Sequence, residues 1–485
     1  MRTATSNAAQ AAYWVAVAMM LLLLAGASYW YLERTLWVDP SFIVFEVMYE
    51  QHPIISEHRY GAFITQMWPL LAHQLNLPLR IILWVYSVSF YAFYTAVLLL
   101  VGWRWKQYAL GVLLLLYLTV LVSDSYFWPN NEVHQGIGWM VLALGWYNHL
   151  MEGGEVSWWK HILAGILMIL SLLTHVLVAA PFAFLWVYQI VREGRGLTRT
   201  VLTYSALLLA GVGLRYYLSQ DSWYDGYKLE GVQNLTVPSF FAAFGNGHAR
   251  QATALLWPDY VGALVLLLTG LCYLLWRGGY LRAIITVGAC LLYAGLVLVT
   301  YPAPFGRELL FYYESEWQGL AIIAATPFCL DLLLRWRRAY WGAALLVLIC
   351  LVRLDHIRQS AAYFDLRLEN LRVLTEELPQ RGYHKVLWEG SAELTPYFGL
   401  TWGLPGETLL SSSLDSKHAT LTLKAIDGSE PDGENPGNVF RGDFRDVPVS
   451  RIDSAYFRLD SLQPYRRLEA PDRAAIFTRL RTLPQ

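Results

Sequence analysis

The side chains able to do chemistry in this chain gather in four stretches that lie between long apolar runs. The first, about 33–79, holds Asp39, Glu46, Glu50, His52, Glu57, His58, Arg59 and Tyr60. The second runs from Asp124 to His134 and contains Glu132. The third, about 219–256, carries Asp221, Asp225, Lys228, Glu230, His248 and Arg250. The fourth carries Arg307, Glu308, Glu314 and Glu316 around Phe311, Tyr312 and Tyr313. Carboxylates at such places can accept a proton, and a guanidinium's planar fork matches phosphate oxygens. Any one of these groups reads as a solvated loop residue; acids, arginines and aromatics recurring together suggest a common site. The chain has no P-loop, dinucleotide fingerprint, nucleophile elbow or Cys-pair zinc motif, which argues against ATP-driven work and serine-hydrolase chemistry.

The elements that must position these groups are membrane helices. The chain has 485 residues, 56% hydrophobic and only 15% charged, against about a quarter charged in a soluble domain. Its 21 Trp and 31 Tyr suit the two membrane–water interfaces. A net charge of −1 gives no reason to expect a nucleic-acid partner. Apolar stretches near 11–32, 80–102, 107–123, 134–151, 161–175, 177–191, 200–218, 257–276, 281–300, 317–334 and 339–353 predict about eleven transmembrane helices. The run 161–190 is too long for one span, and His175 followed by Pro181 marks a turn within it. Ala25-Gly26-Ala27 resembles a signal-peptidase site, but the apolar run continues through Trp30 to Leu32, so the first segment reads as a retained span. Cys272, Cys290, Cys329 and Cys350 all fall in apolar runs and read as buried single thiols.

Alternate loops carry Arg104 and Lys106, Lys160, Arg192 with Arg195 and Arg199, Arg277 with Arg282, and Arg335 with Arg337 and Arg338. The positive-inside rule puts these loops and the N-terminus in the cytoplasm, and the four chemistry-bearing stretches outside. Clustered apolar residues, Phe42 to Met48 and Ile64 to Leu71, predict interfacial helices in the first outer loop. The expected domains are a transmembrane region, 1–353, and a soluble extracytoplasmic α+β domain, 354–485. In the latter, 355–378 reads as a helix and Lys385–Trp388, Ala419–Leu423 and Ala455–Leu459 as strands. The acidic stretch Asp427 to Glu434 reads as a solvated loop.

This layout resembles the GT-C superfamily of membrane glycosyltransferases, which use polyprenyl-phosphate-linked sugars. The resemblance covers about residues 10–350. A first span leads into a long outer loop opening on an acid, Asp39, and returning through Pro78. A short second loop carries Asn131-Glu132-Val133-His134. Two short spans meet at Thr174-His175, and Arg307 precedes the aromatic Phe311-Tyr312-Tyr313. Two positions depart from the pattern: Pro40 follows Asp39 where a second acid often stands, and Glu308 follows Arg307 where Tyr is common.

The resemblance implies transfer of a sugar from a polyprenyl-phosphate lipid to a glycan, lipid or protein acceptor on the outer side of a bacterial plasma membrane. It makes Asp39 the general base, with Glu46 and Glu132 as accessory acids. Arg307, Arg59 and His175 become the groups that bind the donor phosphate. Phe311, Tyr312 and Tyr313 would line a groove for the lipid chain. Because some members bind a divalent metal ion, Glu132 and His134 with Asp39 are its candidate ligands, although an i, i+2 spacing is no recognised ligand motif. Two other classes stay open. A transporter of lipid or polysaccharide would carry inverted repeats and mid-span charges, yet no repeat is visible and Asp331 lies near a cytoplasmic end. A non-catalytic membrane scaffold with a transferase-like fold would tolerate the departures at Pro40 and Glu308.

Overall fold

A computed structural model describes residues 7–484 except 153–156, 195, 197, 335–338, 415–419, 428–436 and 443; for 223, 227–230, 339 and 340 it describes the backbone alone. The chain is mostly helical, with a small α/β region at its C-terminal end. Among the described residues five helices are long and apolar enough to cross a membrane: Asn7–Tyr29, Leu79–Arg104, Val176–Glu193, Arg199–Gln220 and Tyr280–Thr300. The pair Gly247–Leu256 and Val261–Trp276, bent by 81°, makes a sixth if counted as one span. The other expected spans form helices too, but with physical differences. Tyr108–Val120 and Trp158–Leu172 are apolar yet shorter than the roughly 20 residues a bilayer asks for. Glu132–Glu152 and Leu310–Pro327 are long enough but carry polar groups that face the protein interior, among them His134, Gln135, Glu314 and Glu316. Trp103, Trp158, Trp159, Trp276 and Tyr280, all near helix ends, project outward as interface residues do. All four cysteines are free; Cys329 and Cys350 are buried as expected, whereas Cys290 is half-buried and Cys272 exposed.

The expected break at 353/354 is not a break in structure. One helix, Ala339–Gln380, runs for 42 residues, about 63 Å at the usual rise, from the apolar bundle into the C-terminal region. Arg353, within it, is buried and donates to the carbonyls of Thr119 (3.1 Å) and Val122 (2.9 Å). Helix Tyr108–Val120 leaves such carbonyls without intrahelical partners at its end, so Arg353 ties the long helix to the bundle.

The stretch expected as the first outer loop, about 33–79, follows the end of a short helix, Tyr31–Thr35, and folds as two further helices, Val38–Glu50 and Met67–Gln74, joined through a 3-10 turn, Tyr60–Phe63. Only the second suits an interface: it exposes Met67, Trp68 and Leu71 and buries Leu70 and Ala72. The first is covered instead. Ile43, Val44, Phe45, Val47 and Met48 share one hydrophobic cluster with Leu404, Leu409, Leu410, Phe440 and Phe457 of the C-terminal region.

That region holds a parallel sheet of β1 (Lys385–Glu389), β2 (Thr422–Ile426) and β5 (Arg466–Arg467) in the order β2-β1-β5. Lys385 pairs with Thr422 and Glu389 with Ile426. A separate antiparallel pair joins β3 (Val439–Arg441) to β4 (Asp446–Pro448). Parallel strands and the helices Ser391–Phe398, Leu404–Ser413 and Ala470–Phe477 make an α/β arrangement where α+β was expected. The expected strand at Ala455–Leu459 does not form: the Asp453 carboxylate accepts from the Ala455 N–H (2.9 Å), a turn follows, and Phe457 packs on Phe45. Ala419 and most of the acidic stretch lie outside the described residues.

Candidate functional site

Asp39 opens the helix Val38–Glu50, and an unusual turn aims it. Val38 is β-branched yet sits at φ 32°, a left-handed conformation that costs on the order of 1–3 kcal/mol and needs support from its surroundings. The support comes from two sides. The Val38 N–H donates to the Glu407 carboxylate at 2.6 Å, and the indole N–H of the preceding Trp37 donates to the Phe127 carbonyl at 2.8 Å. Glu407 is itself buried against Arg367 (2.7 Å). A Cβ at Gly403 would lie 2.6 Å from Val38 Cα, so only glycine permits this approach. The C-terminal region and the second loop thus hold the Asp39 turn between them. Asp39 lies close enough to the hydroxyls of Tyr86 and Tyr312 to act on them electrostatically.

Beside this turn is a buried charge cluster assembled from three loops and one helix. Arg59 pairs with Glu132 (3.3 Å) and Asp225 (2.8 Å), and Arg215 pairs with the other oxygen of Asp225. Arg215 also donates to the Glu57 carbonyl (2.9 Å), and Ser222 is hydrogen-bonded to the Glu57 carboxylate. The Tyr224 ring lies 5.6 Å from the Arg59 guanidinium, and the Tyr224 hydroxyl is bonded to that of Tyr312. Burial opposes the charge on Arg59, but Glu132 and Asp225 outweigh it and raise its pKa above the ordinary value. Tyr312 feels both Asp39 and Arg59, and Tyr86 feels both Asp39 and Glu132, so the candidate base and this cluster belong to one region.

Arg307 joins a neighbouring cluster. It pairs with Asp124 and stands 4.6 Å from the Tyr363 ring. Burial lowers its pKa and the Asp124 carboxylate more than restores it. Glu314 accepts from the backbone N–H groups of Ser123 (2.9 Å) and Ser125 (2.7 Å) and from the Tyr260 hydroxyl (2.7 Å). An aromatic row joins the two clusters: Trp37 packs on Phe311 at 4.7 Å, and Trp128 on Phe311 (4.9 Å) and Tyr312 (5.0 Å). Phe311 and Tyr312 therefore belong to this row, while Tyr313 lines a mainly apolar cavity of about 230 Å³ with Leu121, Tyr260, Leu298, Glu314 and Trp317.

Three sequence expectations change. Glu46 is engaged elsewhere: with Glu50 it holds Arg445 of the C-terminal region, an anchoring contact that the sequence did not suggest. His175 caps the 3-10 turn Val176–Val178 by accepting from the Leu177 N–H (3.2 Å). Its neighbour Thr174 does abut the loop carrying Arg59, since a Cβ on Gly61 would overlap the Thr174 hydroxyl. Glu132 and His134 diverge. Glu132 turns to Arg59, whereas His134 is fully buried between Tyr117 (3.2 Å) and Gln318 (3.2 Å). Among the described residues no group of three or more His, Cys, Asp or Glu is placed to hold a metal ion, so these side chains do not fit the divalent ion.

Sequence reasoning gave no role to Arg215, Asp225, Asp124 or Arg353. Arg215 had a signal, a lone charge inside an expected span, where ionisable groups tend to be functional. Asp225 had none, since its loop contains other acids. No protein-family model, no curated protein and no solved structure matches this chain.

Proposed function

We propose that this chain is an integral membrane glycosyltransferase of the GT-C type, moving a sugar from a polyprenyl-phosphate donor to an acceptor outside the cytoplasm. The observation that carries the reading is that Asp39, held by a strained turn, and Arg59, in a buried arginine cluster, both act electrostatically on Tyr312. In the reaction Asp39 takes the proton of the acceptor hydroxyl as its oxygen attacks the anomeric carbon. The bond from that carbon to the phosphate oxygen breaks, and the electron pair leaves with the lipid phosphate. Arginine stabilises the leaving charge: Arg59, which shares the influence on Tyr312 with Asp39, and Arg307 beyond the aromatic row. The cavity beside Tyr313 suits part of an apolar chain.

The reading includes eleven membrane crossings. The five long helices and the bent pair supply six; Tyr108–Val120, Glu132–Glu152, Trp158–Leu172, Leu310–Leu333 and the start of Ala339–Gln380 supply the rest. The N-terminus is then cytoplasmic and the α/β region extracytoplasmic, in a bacterial plasma membrane. A second reading, a non-catalytic scaffold, is favoured by the mutual neutralisation of Arg59, Glu132, Arg215 and Asp225.

The test is sugar transfer by the purified chain, using radiolabelled polyprenyl-phosphate sugars and membrane extracts as acceptors. Wild-type turnover that falls about 100-fold or more in Asp39→Asn, at unchanged elution profile, supports the enzyme. An Asp39→Asn variant as active as wild type overturns the assignment of the base, and no turnover from any donor favours the scaffold.

A further inference from the structure

Asp225 is the only side chain on which both buried arginines of the cluster converge among the described residues, and it comes from a short helix laid against Tyr280–Thr300 rather than from a long span. It sits on the short helix Trp223–Gln233, in the outer segment between two spans. The helix is held down at this end by three polar contacts: Asp225 to the arginines, Ser222 to Glu57, and Tyr224 to Tyr312. The arginines, by contrast, come from framework. Arg215 lies in the span Arg199–Gln220, and Arg59 immediately precedes the turn packed on Thr174. Two donors are also left over. The Nε–H groups of Arg59 and Arg215 are both enclosed and find no hydrogen-bond partner among the described residues. Two buried guanidiniums of framework origin, sharing one carboxylate from a peripheral helix, are arranged as an anion site with an internal ligand.

We infer that Arg59 and Arg215 form a binding site for a phosphate group, which Asp225 fills until a ligand displaces it. The inference rests on the lipid-phosphate reading of the same region and adds which arginines hold the phosphate and what occupies their site without it. Arg59 and Arg215 converge on the one carboxylate of Asp225, and the Glu57 carboxylate is held nearby through Ser222, so the arginines have no uncompensated charge while Asp225 stays in place. A lipid phosphate monoester, the leaving group of the proposed transfer, offers three terminal oxygens against the two of Asp225, which answers the unmet N–H groups.

Binding of geranylgeranyl phosphate to the full-length protein in detergent tests this, with geranylgeraniol and inorganic phosphate as separate arms. Asp225→Asn is expected to bind geranylgeranyl phosphate at least about tenfold more tightly than wild type, with no change for geranylgeraniol, and adding Arg215→Ala is expected to remove the gain. In the wild-type protein the ligand should speed backbone hydrogen exchange across 223–233, because the helix loses its anchor. The same gain with inorganic phosphate supports the anion site and identifies free phosphate rather than the lipid as its ligand. Unchanged affinity in a folded Asp225→Asn overturns the inference, as does wild-type exchange across 223–233 that stays constant or slows. The wild-type exchange decides alone if that variant does not fold. Tight binding with no sugar transfer by any variant sinks the transferase reading and leaves this site standing.

Discussion

Arg367 and Glu407 show what single residues carry here. Both are buried, and together they fix the backbone ahead of Asp39, since Glu407 accepts from the Val38 N–H while Arg367 donates to the Phe398 carbonyl (2.9 Å). Removing one member of a buried ion pair strands the other charge and typically costs about 3–5 kcal/mol. Arg367→Ala is therefore expected to lower the thermal midpoint in detergent and to release Val38 from its left-handed conformation; a midpoint within a degree of wild type would refute the support assigned to this pair. Gly403→Ala is a milder probe of the same place. Its Cβ would press on the backbone of Val38, so it should cut any Asp39-dependent activity at least about tenfold while costing only about 1–3 kcal/mol of stability. Activity lost without a large loss of fold is the outcome that distinguishes aiming of Asp39 from general support.

At the scale of elements, the helix Val38–Glu50 is pinned at its far end by Arg445, which touches Glu46 and Glu50 and lies 5.3 Å from the Tyr49 ring. The two acids respond differently. Burial raises Glu46 despite Arg445, whereas the hydrogen bond from Arg445 lowers half-buried Glu50 below its ordinary value of 4.5. A carboxylate depressed in the folded state contributes stability above its unfolded pKa and loses it as pH falls through the folded value. Arg445→Ala should thus destabilise by about 1 kcal/mol near neutrality, and by less below pH 4.5, as a pH series of thermal midpoints would read out. An equal loss at both ends would mean that Arg445 acts through packing on Tyr49 rather than through Glu50. The elements were partly legible. The His175–Pro181 turn between two short helices, the β1 strand and the interfacial face of Met67–Gln74 follow from local pattern, because each satisfies its apolar or turn chemistry within a few residues. Val38–Glu50 has the same kind of apolar pattern, yet its face is covered by Leu404–Ser413; periodicity says that a face is apolar, not whether lipid or protein meets it.

For the whole molecule, the 42-residue helix Ala339–Gln380 makes the membrane and C-terminal regions depend on each other. Its bundle end is fastened by Arg353, and its C-terminal end packs Leu368, Leu371, Leu374 and Leu378 into the cluster that covers Ile43 and Val47. A chain ending at 353 should therefore expose the apolar face of Val38–Glu50 and aggregate on size-exclusion chromatography, where a self-sufficient membrane domain would elute as one peak. Cysteine labelling in intact cells is expected to modify exposed Ser461→Cys from outside and exposed Lys106→Cys only after permeabilisation; the reverse pattern would invert the proposed orientation.

The sequence by itself determined that apolar helices dominate, where acids and arginines cluster between them, and where the basic loops lie, because these depend on composition and short-range order. Only the tertiary structure decided which charges meet. Arg59 found Asp225, 166 positions away, and Arg307 found Asp124, 183 positions away, rather than its neighbour Glu308. Glu46 and Glu132, equal as acids in the sequence, were separated into an anchor and a member of the cluster. Such pairings depend on which loops the packed helices bring together and on the cost of leaving a buried charge alone, and neither is written in local spacing.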